Sequence, residues 1–370
     1  MSYTYVLCRA TGEPVGELLE ARERRCTWQR NGIHSADVTL SLEDDLAAFL
    51  APGLARLKVY RSPSAAELAV NPAASRSLVF YGSLPAAGMR EQASNGIVSA
   101  SFRDPRWVLG QRWTIAADTF TATDTGTILW TLLNAQNGRT GGDTWIRQGG
   151  TTTGVLRDWS TDRRRLLDLM DEATRGLDGV DVDVDPRDGF SETTPSRIMG
   201  NLRVYARQGA AKDTVHFLYG QGYPANCADM SRSYMDVITQ ATMTGSGSGT
   251  TDLASTYTDA GSSLYGLLED YASDPDLATQ ATLDVKVRGR VEQRKLPRMV
   301  VEIVEPTPEA PQPWEHYYLG DTIYASCRKG WMDFSNLPLR VDAIDLTISD
   351  TGRESVRLTT SDPGLSQEAL

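Results

Sequence analysis

Strict alternation of apolar and polar residues marks both ends of this chain, and helical spacing is concentrated in its middle. Val38, Leu40 and Leu42 alternate with Thr39 and Ser41, the period of a half-buried strand. Glu43, Asp44 and Asp45 then open a short helix through Leu46, Phe49 and Leu50, which Pro52 and Gly53 stop. Leu57 and Val59 resume a strand, and Leu78, Phe80, Gly82 and Leu84 predict another. Residues 62–77 between them are small, polar and proline-containing, and read as a projecting loop on a hairpin. Val98, Ala100 and Phe102 form the next strand, ended at Asp104-Pro105, where proline withdraws a backbone donor.

Farther along, the periods mix. Ile128, Leu129, Leu132 and Leu133 share one helical face, started by Asp124 or Thr125 and ended near Asn137-Gly138. A second helix is expected with Ser160 or Thr161 as its cap and Asp162 in its first turn. Its stripe is Leu166, Leu169, Met170 and Ala173, and Gly176 stops it. Val180, Val182 and Val184 then alternate with Asp181, Asp183 and Asp185; Leu202, Val204 and Ala206 alternate with Arg203, Tyr205 and Arg207. From Thr214 the chain is β again, as far as a flexible Gly/Ser pentapeptide at residues 245–249. Leu264, Leu267, Leu268 and Tyr271 predict an inserted helix over 261–271. Strands return at Leu283, Val285 and Val287, and at Met299, Val301 and Ile303, before an extended four-proline loop at 305–313. Ile344, Leu346 and Ile348 lead into the turn Ser349-Asp350-Thr351-Gly352, and Val356 and Leu358 lead out.

A length of 370 residues suggests two to four domains. No apolar run reaches the roughly 18 residues a membrane helix needs. The first twenty residues lack the basic patch and apolar stretch of a secretory signal. A formal charge of −11 argues against an electrostatic phosphate-binding surface. Cys8, Cys26, Cys227 and Cys327 lie far apart with no CxxC pair, which argues against structural zinc and a disulfide framework, and for buried thiols in a chain made in a reducing cytoplasm. Five of the 37 basic residues are lysine; the excess of arginine suits subunit interfaces, or simply reflects a GC-rich genome.

Candidate chemistry is sparse. His34, His216 and His316 sit in separate segments with no metal-ligand spacing, and no nucleophile elbow, phosphate-binding loop or dinucleotide fingerprint occurs. The sharpest motif is DVDVDPRDGFSE, whose Asp181, Asp183, Asp185 and Glu192 occupy positions 1, 3, 5 and 12 of a calcium loop. Pro186 replaces the glycine such a loop needs at position 6. The alternating valines favour a strand with one solvated acidic face, which a bound calcium, or Arg203 and Arg207 on an adjoining strand, could neutralise. Asp158 beside Trp159 could serve a sugar site but reads as the lead-in to a helix. The eight scattered tryptophans fit packing better than a cleft. Accordingly, no catalytic, cofactor-binding or metal residues are expected, and no cofactor.

Several segments in order resemble the baseplate hub, or minor tail, proteins at the tail tip of long-tailed bacteriophages. They are Trp28; residues 35–61 (SADVTLSLEDDLAAFLAPGLARLKVYR), 78–86 (LVFYGSLPA) and 97–113 (IVSASFRDPRWVLGQRW); residues 159–186; SSLYGLLED at 262–270; YYLGDTIYAS at 317–326; and the strand–turn–strand finish at 339–362. The resemblance spans about residues 25–362, and the loops at 62–77 and 305–313 depart from it.

The resemblance implies a mainly β fold with α+β insertions: two tube-like β-barrel domains plus a smaller α+β domain. The expected boundaries are 1–108 for the first barrel, 109–213 for the α+β domain and 214–250 with 283–362 for the second barrel, with a helical insertion at 251–282 and a frayed tail at 363–370. It also implies a non-enzymatic homotrimer in the virion, assembled in the host cytoplasm. The trimer would join the sixfold tail tube to threefold tip or fibre proteins, beside distal tail and tape measure proteins, and line a channel that DNA crosses without specific binding. A tail-tip cell-wall hydrolase, a receptor- or carbohydrate-binding tail module and a single-barrel ring protein of the tail tip are the alternatives.

Overall fold

The computed structural model describes residues 3–50, 53–114, 116–174, 179–189, 198–233, 237–245, 253–259, 266–273, 279–292, 294–295, 300–304, 307 and 310–361. The first region holds β1 (Tyr3–Cys8), β2 (Pro14–Glu17), β3 (Glu23–Gln29), β4 (Ser35–Ser41), β5 (Arg56–Arg61), β6 (Ser77–Ser83), β7 (Met89–Gln92) and β8 (Ile97–Arg103). Between β4 and β5, Asp44 caps a 3-10 turn at Asp45–Phe49 by accepting from the Leu46 amide. The expected loop at 62–77 contains a short helix, α1 (Ala65–Val70), fastened by a capping box between Ser64 and Glu67. After β8, α2 (Arg106–Leu109) leads into the middle region.

That region holds β9 (Asp118–Asp124), α3 (Thr125–Asn137), β10 (Ile146–Gln148), β11 (Leu156–Thr161), α4 (Leu166–Ala173), β12 (Asp181–Pro186) and β13 (Gly200–Tyr205). Asp124 caps α3 through the Thr127 amide, and Gly138 ends it. The second helix starts later than its sequence suggests. Ser160 and Thr161 pair with Thr119 and Asp118 of β9, so they and the Asp158-Trp159 step belong to a strand, and α4 begins after Arg165. Its stripe of Leu166, Leu169, Met170 and Ala173 is buried as expected; Gly176 lies outside the described residues.

The last region holds β14 (Ala211–Gly220), β15 (Asp229–Ser233), β16 (Gln240–Thr244), β17 (Ala254–Thr258), β18 (Glu269–Ser273), α5 (Gln280–Glu292), β19 (Val300–Val304), β20 (Thr322–Lys329), β21 (Met332–Ser349) and β22 (Glu354–Ser361). Here two expectations fail. Tyr271 belongs to strand β18, where it pairs with Thr242, rather than to a helix; residues 260–265 lie outside the described residues. Leu283, Val285 and Val287 lie in helix α5, not in a strand. Leu283, Val287 and Val291 are buried at helical spacing against Ala241 and Met243, while Val285 points outward. The insertion is thus a three-stranded sheet, β17-β16-β18, backed by one helix. Most of the glycine-rich pentapeptide, Pro306, Pro308, Glu192 and the tail after Ser361 also lie outside the described residues.

Fourteen strands form one hydrogen-bonded network, ordered β15-β19-β22-β21-β3-β4-β8-β6-β5-β1-β2, with β14 on β20, β20 on β21 and β7 on β8. This path is open, and no closed barrel occurs among the described residues. The fold is mainly β with small α-containing insertions. One apolar cluster runs through both terminal regions, from Tyr5, Phe80 and Phe102 to Phe217, Ile323 and Leu358. Trp28 sits where they meet, edge-on to Trp314 at 4.3 Å between ring centroids, with its indole N–H donating to the Val79 carbonyl.

Leaving aside β2 and β7, the first region arranges six strands as β1-β5-β6-β8-β4-β3. The last arranges six as β14-β20-β21-β22-β19-β15. Ranked by chain position, both orders read first, fourth, fifth, sixth, third, second. All neighbouring ladders are antiparallel except β14–β20.

Candidate functional site

The acidic strand β12 carries the first candidate site, and it is not a solvated face. Asp181 and Asp183 are only 5% and 2% exposed. The α+β region presses β12 against the turn after β3 and the start of α2, so the carboxylates meet partners from distant segments. Asp181 accepts from Arg30 (2.8 Å), Asn31 (2.9 Å), Arg340 (2.6 Å) and the Gln208 amide (2.7 Å). Asp183 accepts from His34 Nε2 (3.0 Å) and the Gln208 side chain (3.1 Å), with Arg106 at 3.7 Å. Arg106 also clasps Asp104, and the Asp104 carboxylate accepts from the His34 amide. Arg203, expected with Arg207 to neutralise the strand, pairs with Asp185 at 2.7 Å. The cations facing the buried aspartates come instead from the two terminal regions.

Burial pushes the Asp181 carboxyl up, but Arg340 and Arg30 outweigh it and hold the group below its ordinary value. Burial acts the same way on Asp183, where His34 and Arg106 prevail and bring it down to about 2. The His34 Nδ1 accepts from the Gln29 amide at 3.2 Å, which leaves Nε2 to donate to Asp183. Both ring nitrogens are therefore engaged in structure. A buried, hydrogen-bonded ion network of this kind rigidifies the elements that carry it.

A backbone contact reinforces the joint. Gly209 and Gly320 both have positive φ and stand so close that a Cβ on Gly209 would lie 2.2 Å from the Gly320 carbonyl carbon. Asp321, in the Gly-Asp turn marked by the sequence, accepts from the Ala210 and Tyr318 amides. Beside the joint lies a cleft of about 340 Å³ lined by Asn31, Ile33, Arg106, Met170 and Asp171, with both polar and apolar walls.

The other candidates stay apart. His216 stacks on Tyr324, and His316 lies on the surface near Glu315. Asp158 accepts from the Ala122 amide. The four cysteines are buried thiols. Among the described residues no group of three or more His, Cys, Asp and Glu side chains is placed to hold a metal, and no helix is long and apolar enough to cross a membrane. Trp331 stands 73% exposed at the β20–β21 turn, whereas Trp314 and Tyr317 pack inward. Sequence reasoning missed the roles of Arg30, His34, Arg106 and Arg340. Their one visible mark is that Arg340 sits inside an apolar run, Leu339-Arg340-Val341.

No family model and no curated sequence relative matches the chain. Solved structures do. It is similar over its full length to a tail protein from Neisseria meningitidis (TM-score 0.60, 11% identity, 100% of this chain and 99% of that one). It is similar to a 43 kDa prophage tail protein from Shewanella oneidensis (0.58, 12%, 98% and 99%). A prophage tail protein from Listeria monocytogenes follows (0.52, 12%, 97% and 94%). The chain thus shares the fold of phage tail proteins.

Proposed function

We propose that the chain is a structural phage tail protein: the homotrimeric hub of the tail tip, joining a sixfold tail tube to threefold tip or fibre proteins. The observation that carries this reading is the repeated strand order. A threefold ring that must meet a sixfold one needs two like contact surfaces per subunit, and two regions with one six-strand order supply them. The fold shared with three tail proteins, two of them from prophages, supports the virion setting. The regions proposed as tube-like units are residues 1–108 and the last region's six strands, β14, β15 and β19 to β22, without the inserted sheet and α5; closure into tubes would come from neighbouring copies. Residues 109–213 clamp the two units through Asp181 and Asp183. Tail tube, distal tail and tape measure proteins are the proposed neighbours. The net negative charge suits a channel that DNA crosses without being held. The joint consumes its carboxylates and imidazole in fixed pairs, which supports a non-enzymatic role. Light scattering on the purified chain tests the assembly: three copies per particle are expected, and a particle of six identical copies would favour a single-unit ring protein instead.

A further inference from the structure

The repeated order also selects which edges of the sheet meet between subunits. β21 is one strand of 18 residues. Its first half pairs with β20 and its second half with β22. In the first region the same track is covered by two strands. β6 pairs with β5, the chain breaks at the Ala86–Gly88 turn, and β7 continues alongside β8. β7 is therefore the counterpart of the second half of β21.

That second half of β21 has a further neighbour within the chain. Residues 343–349 pair antiparallel with β3, the terminal strand of the first region's six. The counterpart of β3 in the last region is β15, which among the described residues ends the ladder path beside β19. β7 has β8 as its only ladder partner among the described residues. One junction of the repeat is thus made inside the chain, by β3 on β21. The equivalent junction, β15 on β7, is not made within it among the described residues. β2 and β14 also lie at edges, but neither is the counterpart of a strand in the internal junction.

We infer that β15 of one subunit adds antiparallel to the β7 edge of the next copy of this chain, repeating the β3–β21 junction around the ring. A second observation agrees. The β7 edge borders an open groove of about 360 Å³, lined by Met89, Glu91 and Val98 on one side and by Leu42, Asp45 and Ala48 of the 3-10 turn on the other. An edge strand beside an uncovered groove is a template for strand addition, with backbone hydrogen bonds supplying the pairing. The contact is head-to-tail, joining different surfaces of like subunits, so it builds a ring when the rotation closes. The inference rests on the trimeric reading above.

Disulfide trapping tests it. Met230 is buried on β15, which turns Asp229 and Ser231 outward; Met89 packs on the core, which turns Arg90 and Gln92 outward. Arg90→Cys or Gln92→Cys is combined with Asp229→Cys or Ser231→Cys, and the four double variants are oxidised at a concentration where light scattering reports the assembly. At least one should shift the non-reduced band to two and three times the chain mass and no further, while every single variant stays at one. Arg25→Cys with Thr347→Cys, opposite each other in the internal junction, should link without any change of mass. A trimer that none of the four pairs links would overturn the strand assignment and leave the trimeric reading standing. A chain that remains monomeric would overturn both.

Discussion

The two terminal regions share a six-strand order and differ almost everywhere else. In the first, the elaborations fall between β5 and β6, where α1 sits, and in the split of one long strand into β6 and β7. In the last, β20 and β21 are joined by a tight turn at Gly330, and the elaboration falls between β15 and β19, which hold the small sheet and α5. Their first strands even run in opposite senses, β1 antiparallel to β5 and β14 parallel to β20. Ladders are costly to rearrange because a slip of one residue turns every side chain to the other face, whereas connections tolerate insertion. The common ladder order is therefore the part that a task shared by both regions would keep, and the connections are where the two are free to differ.

The largest effect should come from the joint that ties the regions together. Asp181→Ala leaves the buried Arg340 without a carboxylate and half-buried Arg30 with Asp342 alone, and should cost ~3–5 kcal/mol in denaturant unfolding. A cost below ~1 kcal/mol would mean that the β3–β21 ladder and the shared apolar cluster hold the two regions without the joint. The small insertion should respond more locally. Leu283→Ala should cost roughly 2–4 kcal/mol and raise hydrogen exchange in β16 and α5. Val285→Ala, on the exposed face of the same helix, should stay within ~0.5 kcal/mol. Equal effects at the two positions would restore the strand reading of this segment.

Much of the fold was legible where a period sat on a single element. Val38 and Leu40, the Asp44 turn, the Asp124 cap and the Ile344–Leu346–Ile348 run needed only local spacing. Leu283, Val285 and Val287 misled because three residues satisfy period two while Leu283, Val287 and Val291 satisfy helical spacing; the longer window held the answer. The burial of Asp181 and Asp183 was not legible. Their partners His34, Arg106 and Arg340 lie roughly 75 to 160 residues away, and alternation with valine looks the same whether the polar face meets water or arginine.

Acid should loosen the joint by a smaller amount. Asp183 titrates at about 2 in the folded chain, against ~3.9 in an unfolded one. A depressed carboxyl contributes stability that is present above about pH 4 and lost as the pH falls towards 2, here on the order of 2 kcal/mol; Asp181 adds in the same direction. Near-ultraviolet dichroism of the Trp28–Trp314 contact, followed from neutral pH downwards, should change in that window. A signal that moves only above pH 5 would assign the acid response to other groups.

The central claim is that one chain carries two equivalent ring-forming units. Electron cryomicroscopy of the assembled protein tests it most directly. The account predicts three chains around one axis, six regions of like strand order forming a continuous ring, and a β15–β7 ladder at each of three subunit boundaries. A ring in which each chain contributes a single unit, or an assembly whose boundaries leave both strands uncovered, would contradict it.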